Sequence, residues 1–125
     1  MKTMSMDERR KYQRFQVKEK TSFVMNPEWP ASGELVDIGN GGLAFNYASD
    51  HEWACSEDNN GMIFGSHDSC LTDMPMRVVA DWPMAKENGE SRPGIRRRCL
   101  KFGALSDEQK FLLECFIWIN GVCEC

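Results

Sequence analysis

Three arginines near the start of the chain have the residue type and spacing to bind an anion. Arg10 and Arg14 are four residues apart, and Arg9 precedes them. A four-residue separation places two side chains on the same side of a strand or a helix. Two guanidinium groups can then form bidentate bonds with phosphate oxygens or with the O6/N7 edge of guanine. The same spacing also occurs on ordinary solvated surfaces, so the pair alone leaves both interpretations open.

A second motif follows at Asp37–Gly42, with the sequence DIGNGG. The carboxylate of Asp37 offers two acceptor oxygens, which match the adjacent N1–H and N2–H donors of guanine. The glycines allow a sharp turn and a close approach of a ligand to the backbone, and Asn and Gly both tolerate positive φ. The alternative is a plain tight hairpin that Asp37 caps.

The charge distribution favours a small anion over a nucleic-acid polymer. The formal net charge is -4, but the segment through Lys20 carries +4 and the rest of the chain carries -8. Residues 49–73 contain six acidic residues and no Lys or Arg. An acidic body repels a phosphate backbone, so general DNA or RNA binding is not expected. A basic arm on such a body suits a localised anion.

The elements that must position these residues are mainly short strands. Asn26-Pro27 and the glycines at 39–42 mark turns between them. Ser106 and Gln109 have the spacing of a capping box, and Gly121 suits the end of the helix that follows. This pattern predicts a small barrel with one C-terminal helix. The strand segments are 15–23, 34–38, 43–47, 61–65, 76–82 and 95–102, and the helix face is Leu112, Cys115, Phe116 and Ile119.

The four tryptophans divide between predicted elements and predicted loops. Trp82 alternates with Met76 and Val78 in a strand, away from Asp81, and Trp118 lies in the helix. Both are expected to pack in the core or against the helix, as is Phe116. Trp29 and Trp53 lie in predicted loops, where they could belong to an interaction surface.

The composition predicts a cytoplasmic protein without membrane insertion. The chain has no apolar run near the roughly 20 residues that span a bilayer, and no apolar stretch follows the N-terminal charges as in a secretory signal. Its six cysteines are therefore expected to stay reduced. His51, Cys55, His67 and Cys70 form an alternative metal set, but they lack the C-x₂₋₄-C spacing of structural zinc sites.

Taken together, the two motifs resemble the PilZ family. Its pattern is R-x-x-x-R before the barrel and [D/N]-x-S-x-x-G on a following strand, matched here by Arg10/Arg14 and Asp37–Gly42. The likeness extends through MRVV at 76–79, RRCLKF at 97–102 and LSDEQ at 105–109. It implies a mainly β fold, a six-stranded antiparallel PilZ-type β-barrel with a C-terminal α-helix. Residues 1–8 are then a flexible arm, 9–120 the domain and 121–125 a tail.

The resemblance implies a non-enzymatic bacterial receptor for the second messenger cyclic di-GMP, with no metal and no cofactor. Binding would order the N-terminal arm and thereby regulate a protein partner, and a homodimer stays open. The chain departs from the family where Gly39 replaces the motif serine, which removes a hydroxyl worth about 0.5–3 kcal/mol. The alternative is therefore a degenerate PilZ domain that acts as a protein-protein interaction module. The ligand-binding residues that the resemblance implies are Arg9, Arg10, Arg14, Asp37, Gly39 and Gly42.

Overall fold

The computed structural model describes residues 13–17, 22–49, 52–53, 58–85 and 91–124. Arg9, Arg10 and the predicted arm at 1–8 lie outside these residues. The described part contains eight strands and one helix. They are β1 (Arg14–Val17), β2 (Phe23–Met25), β3 (Gly33–Gly39), β4 (Gly42–Ala48), β5 (Asp58–Phe64), β6 (Cys70–Ala85), β7 (Ser91–Phe102), α1 (Asp107–Asn120) and β8 (Gly121–Glu124).

Six of the strands close into an antiparallel barrel. The order is β2-β5-β6-β7-β4-β3, and β2 pairs with β3 to complete the ring. Closure leaves no open sheet edge within the ring, which satisfies its backbone hydrogen bonds internally. The predicted six-stranded barrel with a C-terminal helix is confirmed. β1 adds to the far end of β3, and β8 adds to β1.

The barrel interior is filled by the alternate side chains of its strands. Along β4, Leu43, Phe45 and Tyr47 are buried in the core. Since successive side chains of a strand point to opposite faces, the residues between them belong to the outer face. The core also takes Ile38 from β3 and Leu100 from β7. Residues of β3, β4 and β7 that lie directly opposite one another therefore share a face.

Helix α1 covers the barrel with a face different from the one predicted. The capping box at its start is present, since the Ser106 hydroxyl accepts from the Gln109 N–H and the Gln109 side chain accepts from the Ser106 N–H. The buried residues are Leu113, Phe116 and Asn120, whereas Leu112 is exposed. The predicted buried face was displaced by about one residue. Leu112 and Leu113 are both apolar, so the sequence pattern does not show which of them faces the barrel.

A register shift between Val78 and Ala80 on β6 reverses the expected alternation. Val78 lies opposite Leu100, but Ala80 lies opposite Cys99, so one residue is left over between them. Such a β-bulge turns every later side chain to the other face. Asp81 therefore faces inward and Trp82 outward, the reverse of the prediction.

The segment after the helix, predicted as a tail, forms strand β8 against β1. Gly121 ends α1, and its N–H donates to the Ile117 carbonyl. A Cβ at Gly121 would lie 2.8 Å from that carbonyl oxygen, so the close passage from helix to strand requires glycine there. Among the described residues, no helix has the length and apolar character needed to cross a membrane.

The turn between β5 and β6 offers a prediction about stability. His67 and Asp68 both have positive φ, 57° and 59°, and the Ser69 N–H donates to the Ser66 carbonyl across the turn. Replacing Asp68 by glycine is expected to raise the free energy of unfolding by about 0.5–1 kcal/mol, because glycine adopts positive φ without steric cost. Urea unfolding measures the difference. Ala104→Gly, at a position without positive φ, should instead lower the stability.

Candidate functional site

The second arginine of the first motif and the aspartate of the second motif are in contact. Nη1 of Arg14 lies 2.7 Å from Oδ1 of Asp37, and each side chain is about one fifth exposed. The contact forms because β1 pairs antiparallel with β3, with Gln16 opposite Asp37 and Arg14 opposite Gly39. Two residues that are 23 positions apart in the sequence thus form a largely buried ion pair beside the glycine turn.

The two motif glycines are required by space at this site. A Cβ on Gly39 would lie 2.0 Å from the carbonyl oxygen of Gln13, and a Cβ on Gly42 would lie 2.1 Å from that of Leu100. The predicted hairpin between β3 and β4 is present, but none of the four residues from Gly39 to Gly42 uses positive φ. At both Gly39 and Gly42, the backbone of a neighbouring strand or segment occupies the space that a side chain would need.

Arg9 and Arg10, the other predicted ligand-binding arginines, lie outside the described residues. The backbone before β1 passes over β3 at Gly39, since the Gln13 carbonyl contacts this position. Gln13, the first described residue, therefore lies beside the glycine turn.

The outer face next to Asp37 carries two further cations on β7. Asp37 lies opposite Ala44, and Ala44 lies opposite Cys99 on β7. Arg97 and Lys101 flank Cys99 at two residues on either side. Within the described residues, neither Arg97 nor Lys101 forms an ion pair with a carboxylate.

A cavity of about 530 Å³ adjoins the glycine turn on the side of the helix. Its lining includes Asn40 and Gly41 of the turn, Lys101 of β7, and Lys110 and Leu113 of α1.

A buried charge cluster at the opposite end of β4 was missed by the sequence analysis. The Asp81 carboxylate accepts hydrogen bonds from Nε of Arg96 at 2.6 Å and from Nε of Arg98 at 2.8 Å. The Tyr47 hydroxyl also donates to it. The side chain of Asp81 is only 2% exposed, and Arg98 is fully buried. Only the β6 bulge turns Asp81 inward, so a pattern of alternating residues cannot reveal the cluster.

The cluster also fixes part of the acidic loop to the barrel. Nη2 of Arg98 donates to the Trp53 carbonyl at 2.8 Å, and the Trp53 N–H donates to the Tyr47 hydroxyl at 3.4 Å. Burial raises the pKa of Tyr47, and the hydrogen bond with Asp81 adds to the rise. The hydrogen bond to Asp81 likewise raises the pKa of Arg96. The tyrosine therefore stays protonated and Arg96 stays charged at neutral pH.

The tryptophans are placed almost opposite to the prediction. Trp29 and Trp53, expected in exposed loops, are each 9% exposed, and their rings lie 5.9 Å apart in the core. Trp82 is 41% exposed and Trp118 is 87% exposed. Phe116 is buried as predicted. Trp29 and Trp53 are buried because they pack onto core aromatic residues of the barrel. The residues next to each tryptophan in the sequence do not indicate this packing.

The alternative metal set is only partly described. His51 and Cys55 lie outside the described residues, whereas His67 lies in the β5–β6 turn and Cys70 begins β6. Where the structure describes the chain, no three His, Cys, Asp or Glu side chains are grouped to hold a metal ion.

The fold is similar to several solved structures, including these three. The first is the complex of K. pneumonia MrkH with c-di-GMP, with 14% identity, 86% of this chain and 50% of that chain covered, and a TM-score of 0.67. A second MrkH structure, described as a c-di-GMP-dependent transcription regulatory factor, has 16% identity, coverage of 90% and 51%, and a TM-score of 0.66. The third is the PilZ domain of E. coli YcgR with c-di-GMP, with 12% identity, coverage of 89% and 90%, and a TM-score of 0.68.

These likenesses concern structure and not sequence. No model of a known protein family matches the chain, and no curated protein matches its sequence. The chain spans about half the length of the two MrkH chains but nearly all of the YcgR domain. Its barrel, its terminal helix and its strand order therefore give it the fold of a PilZ domain.

Proposed function

We propose that this chain is a bacterial cyclic di-GMP receptor that catalyses no reaction. The observation that supports the proposal is the ion pair of Arg14 with Asp37, which joins one residue of each motif at an outer edge of the barrel. Two solved structures that share the fold are complexes with c-di-GMP.

The ion pair leaves donors and acceptors for a ligand. Arg14 uses one terminal nitrogen on Oδ1 of Asp37, and each carboxylate oxygen has two lone pairs, so the two oxygens can still accept from the N1–H and N2–H of a guanine. The remaining N–H groups of Arg14 can donate to a phosphate, in charge-assisted bonds about twice as strong as neutral ones. Arg14 also neutralises Asp37, which lowers the electrostatic cost of bringing the dianionic ligand to this carboxylate.

The arm before Gln13 supplies the remaining charge. In this proposal Arg9 and Arg10 close over the second side of the ligand, because Gln13, the described residue nearest to them in the chain, lies beside Gly39. The order that the ligand imposes on the arm changes the surface that a protein partner meets. The receptor thus acts by changing its binding to a protein partner and not by catalysing a reaction.

Isothermal titration with cyclic di-GMP tests the proposal. The wild type should release or absorb heat at tens of micromolar ligand, and Arg14→Ala should weaken binding roughly 10- to 100-fold, the equivalent of one charged hydrogen bond. Lys110→Ala, which removes an exposed cation on α1, is the matched control and should bind like the wild type. Circular dichroism confirms that each variant is folded. A wild type that gives no heat would refute the receptor.

A second candidate function is an interaction module without a nucleotide. It is favoured by the outward face of α1, where Phe111 is 63% and Trp118 is 87% exposed. Exposed aromatic side chains of this size are typical anchors of protein-protein contacts. The same titration discriminates the two functions, since a module of this kind retains its partner when no cyclic di-GMP is present.

A further inference from the structure

Helix α1 carries an apolar face toward solvent, although its opposite face already packs on the barrel. The exposed side chains are Phe111, Leu112 and Trp118, at 63%, 43% and 87% exposure. We propose that these residues, the α1 outer face, bind a basic amphipathic helix of a protein partner. The inference goes beyond the proposed function, because it names the chemistry of the partner and holds whether or not a nucleotide is bound.

The packing of α1 on the barrel does not use the α1 outer face. Leu113, Phe116 and Asn120 form the buried side of the helix. Asn120 also fixes the end of the helix, because its amide donates to the Ser69 hydroxyl at 3.0 Å and accepts from the Ser66 N–H at 2.8 Å. A helix with one buried face normally carries polar residues on the other, and a helix that is apolar on both sides is typical of one covered on both sides.

The spacing of the exposed residues suits a second helix. Phe111, the half-buried Cys115 and Trp118 are four and three residues apart, so they follow one stripe along α1. Side chains in such a stripe form a ridge that packs into the groove of another helix. With 150–250 Å² of surface for an aromatic side chain, Phe111 and Trp118 together expose roughly 300 Å². A patch of this size is typical of a protein contact, and tryptophan is a frequent anchor residue in such contacts.

Exposed carboxylates on α1 flank the stripe. Asp107 and Glu108 lie in the first turn, and Glu114 lies between Phe111 and Trp118 along the helix. The helix contains these three acidic residues and one basic residue, Lys110, so its side chains carry a net charge of -2. The ion pairs among the described residues include none of the three carboxylates, so their charge is available to a partner.

The turns at the two ends of α1 add further negative charge. The Gln109 side chain donates to the Asp73 carbonyl at 3.0 Å, and Asp68 lies in the β5–β6 turn that Asn120 holds. Both aspartates are exposed. An apolar face with such an acidic rim attracts a basic partner and repels an acidic one. The partner helix should therefore carry lysine or arginine beside its apolar side chains.

The same charges disfavour two other occupants of the α1 outer face. A second copy of this chain would bring two sets of the same carboxylates together, and like charges repel each other across an interface. A bilayer with anionic headgroups attracts lysine and arginine and repels an acidic rim, although an exposed tryptophan is common at membrane interfaces.

Two synthetic peptides, added without nucleotide, are the first test. One is an amphipathic helix with leucine on one face and lysine on the other, and the second has glutamate in place of every lysine. The wild type should bind the lysine peptide with a shift of tryptophan emission to shorter wavelength, because Trp118 becomes buried. It should bind the glutamate peptide at least about 10-fold more weakly. A wild type that does not bind the lysine peptide would overturn the inference.

Variants of the full chain locate the binding. Trp118→Ala should weaken the lysine peptide roughly 10- to 100-fold, as expected for an anchor residue, whereas Trp82→Ala, at an exposed tryptophan on β6, should bind like the wild type. Glu114→Gln should weaken it about 2- to 5-fold, as expected for one exposed charge pair, and Glu34→Gln on β3 should not. Equal binding to Trp118→Ala and to the wild type would show attraction to the acidic protein as a whole and would overturn the inference.

Sedimentation and vesicle binding test the other occupants. The wild type should sediment as a monomer and should not bind vesicles of phosphatidylcholine with phosphatidylglycerol. A dimer that Trp118→Ala dissociates would assign the α1 outer face to a second copy, and vesicle binding that Trp118→Ala abolishes would assign it to a lipid surface. Either result would overturn the inference. Since no cyclic di-GMP is present, a protein that binds the lysine peptide but fails in the nucleotide titration refutes the receptor alone.

Discussion

Replacing Asp81 by alanine is expected to lower the free energy of unfolding by about 3–5 kcal/mol, because it breaks a buried ion pair. Asp81 is the only carboxylate among the described residues that lies within 3 Å of Arg98, a side chain buried to 0% exposure. Removing it takes away the closest carboxylate of a fully buried guanidinium group, which keeps the Trp53 carbonyl and, at 4.0 Å, Glu52 among its contacts. The desolvation of that charge is then compensated much less well.

Urea unfolding at neutral pH measures this loss. Glu114→Ala, at an exposed acidic position on α1, should change the stability by no more than about 0.5 kcal/mol. The double variant Asp81→Leu/Arg98→Leu should recover much of the loss, because replacing both partners by apolar groups removes the uncompensated charge. An Asp81→Ala protein as stable as the wild type would contradict the role of the cluster.

Replacing Gly39 by serine, which restores the family motif, is expected to weaken cyclic di-GMP binding instead of strengthening it. The Cβ of the serine would lie 2.0 Å from the Gln13 carbonyl, so β1 would have to leave its place on β3. Arg14 pairs with Asp37 only because β1 lies there. Overpacking of this kind costs about 1–3 kcal/mol, and the arm loses the position that the proposed site needs.

Titration of the Gly39→Ser and Gly39→Ala variants measures the effect on binding, and thermal unfolding measures the effect on stability. Both variants should bind more weakly by a similar factor, because the Cβ and not the hydroxyl is responsible. Gly103→Ser is the matched control, since the nearest atom to its Cβ is a proline side-chain carbon at 3.2 Å. A Gly39→Ser protein that binds more tightly would show that the missing hydroxyl limits the affinity.

These two predictions differ in what the sequence alone could supply. The replacement of the motif serine by Gly39 is visible in the sequence. From the sequence alone it is interpreted as the loss of one hydrogen bond to the ligand. The register of β1 on β3 changes its meaning, because the backbone of Gln13 occupies the space that a side chain would need. The Asp81 cluster is not visible at all, since its members come from β4, β6 and β7.

The elements themselves follow from local signals. The barrel strands and the helix start were predictable because alternation of apolar residues, turn glycines and the capping box at Ser106 act within a few residues. The helix face and the tryptophans were not predictable in the same way. Trp82 is exposed because the bulge in β6 turns it away from the core. Trp29 is buried because its loop packs against the barrel core.

The amino-acid sequence by itself determined the barrel class, the position of the helix and the two motifs that point to a guanine dinucleotide. Only the tertiary structure decided that Arg14 meets Asp37, that Gly39 is required by a crossing backbone, and that Arg97 and Trp82 share a face with the motif aspartate. The physical reason is that strand pairing and bulges join residues far apart in the chain. Local propensity carries no information about which of these pairings forms.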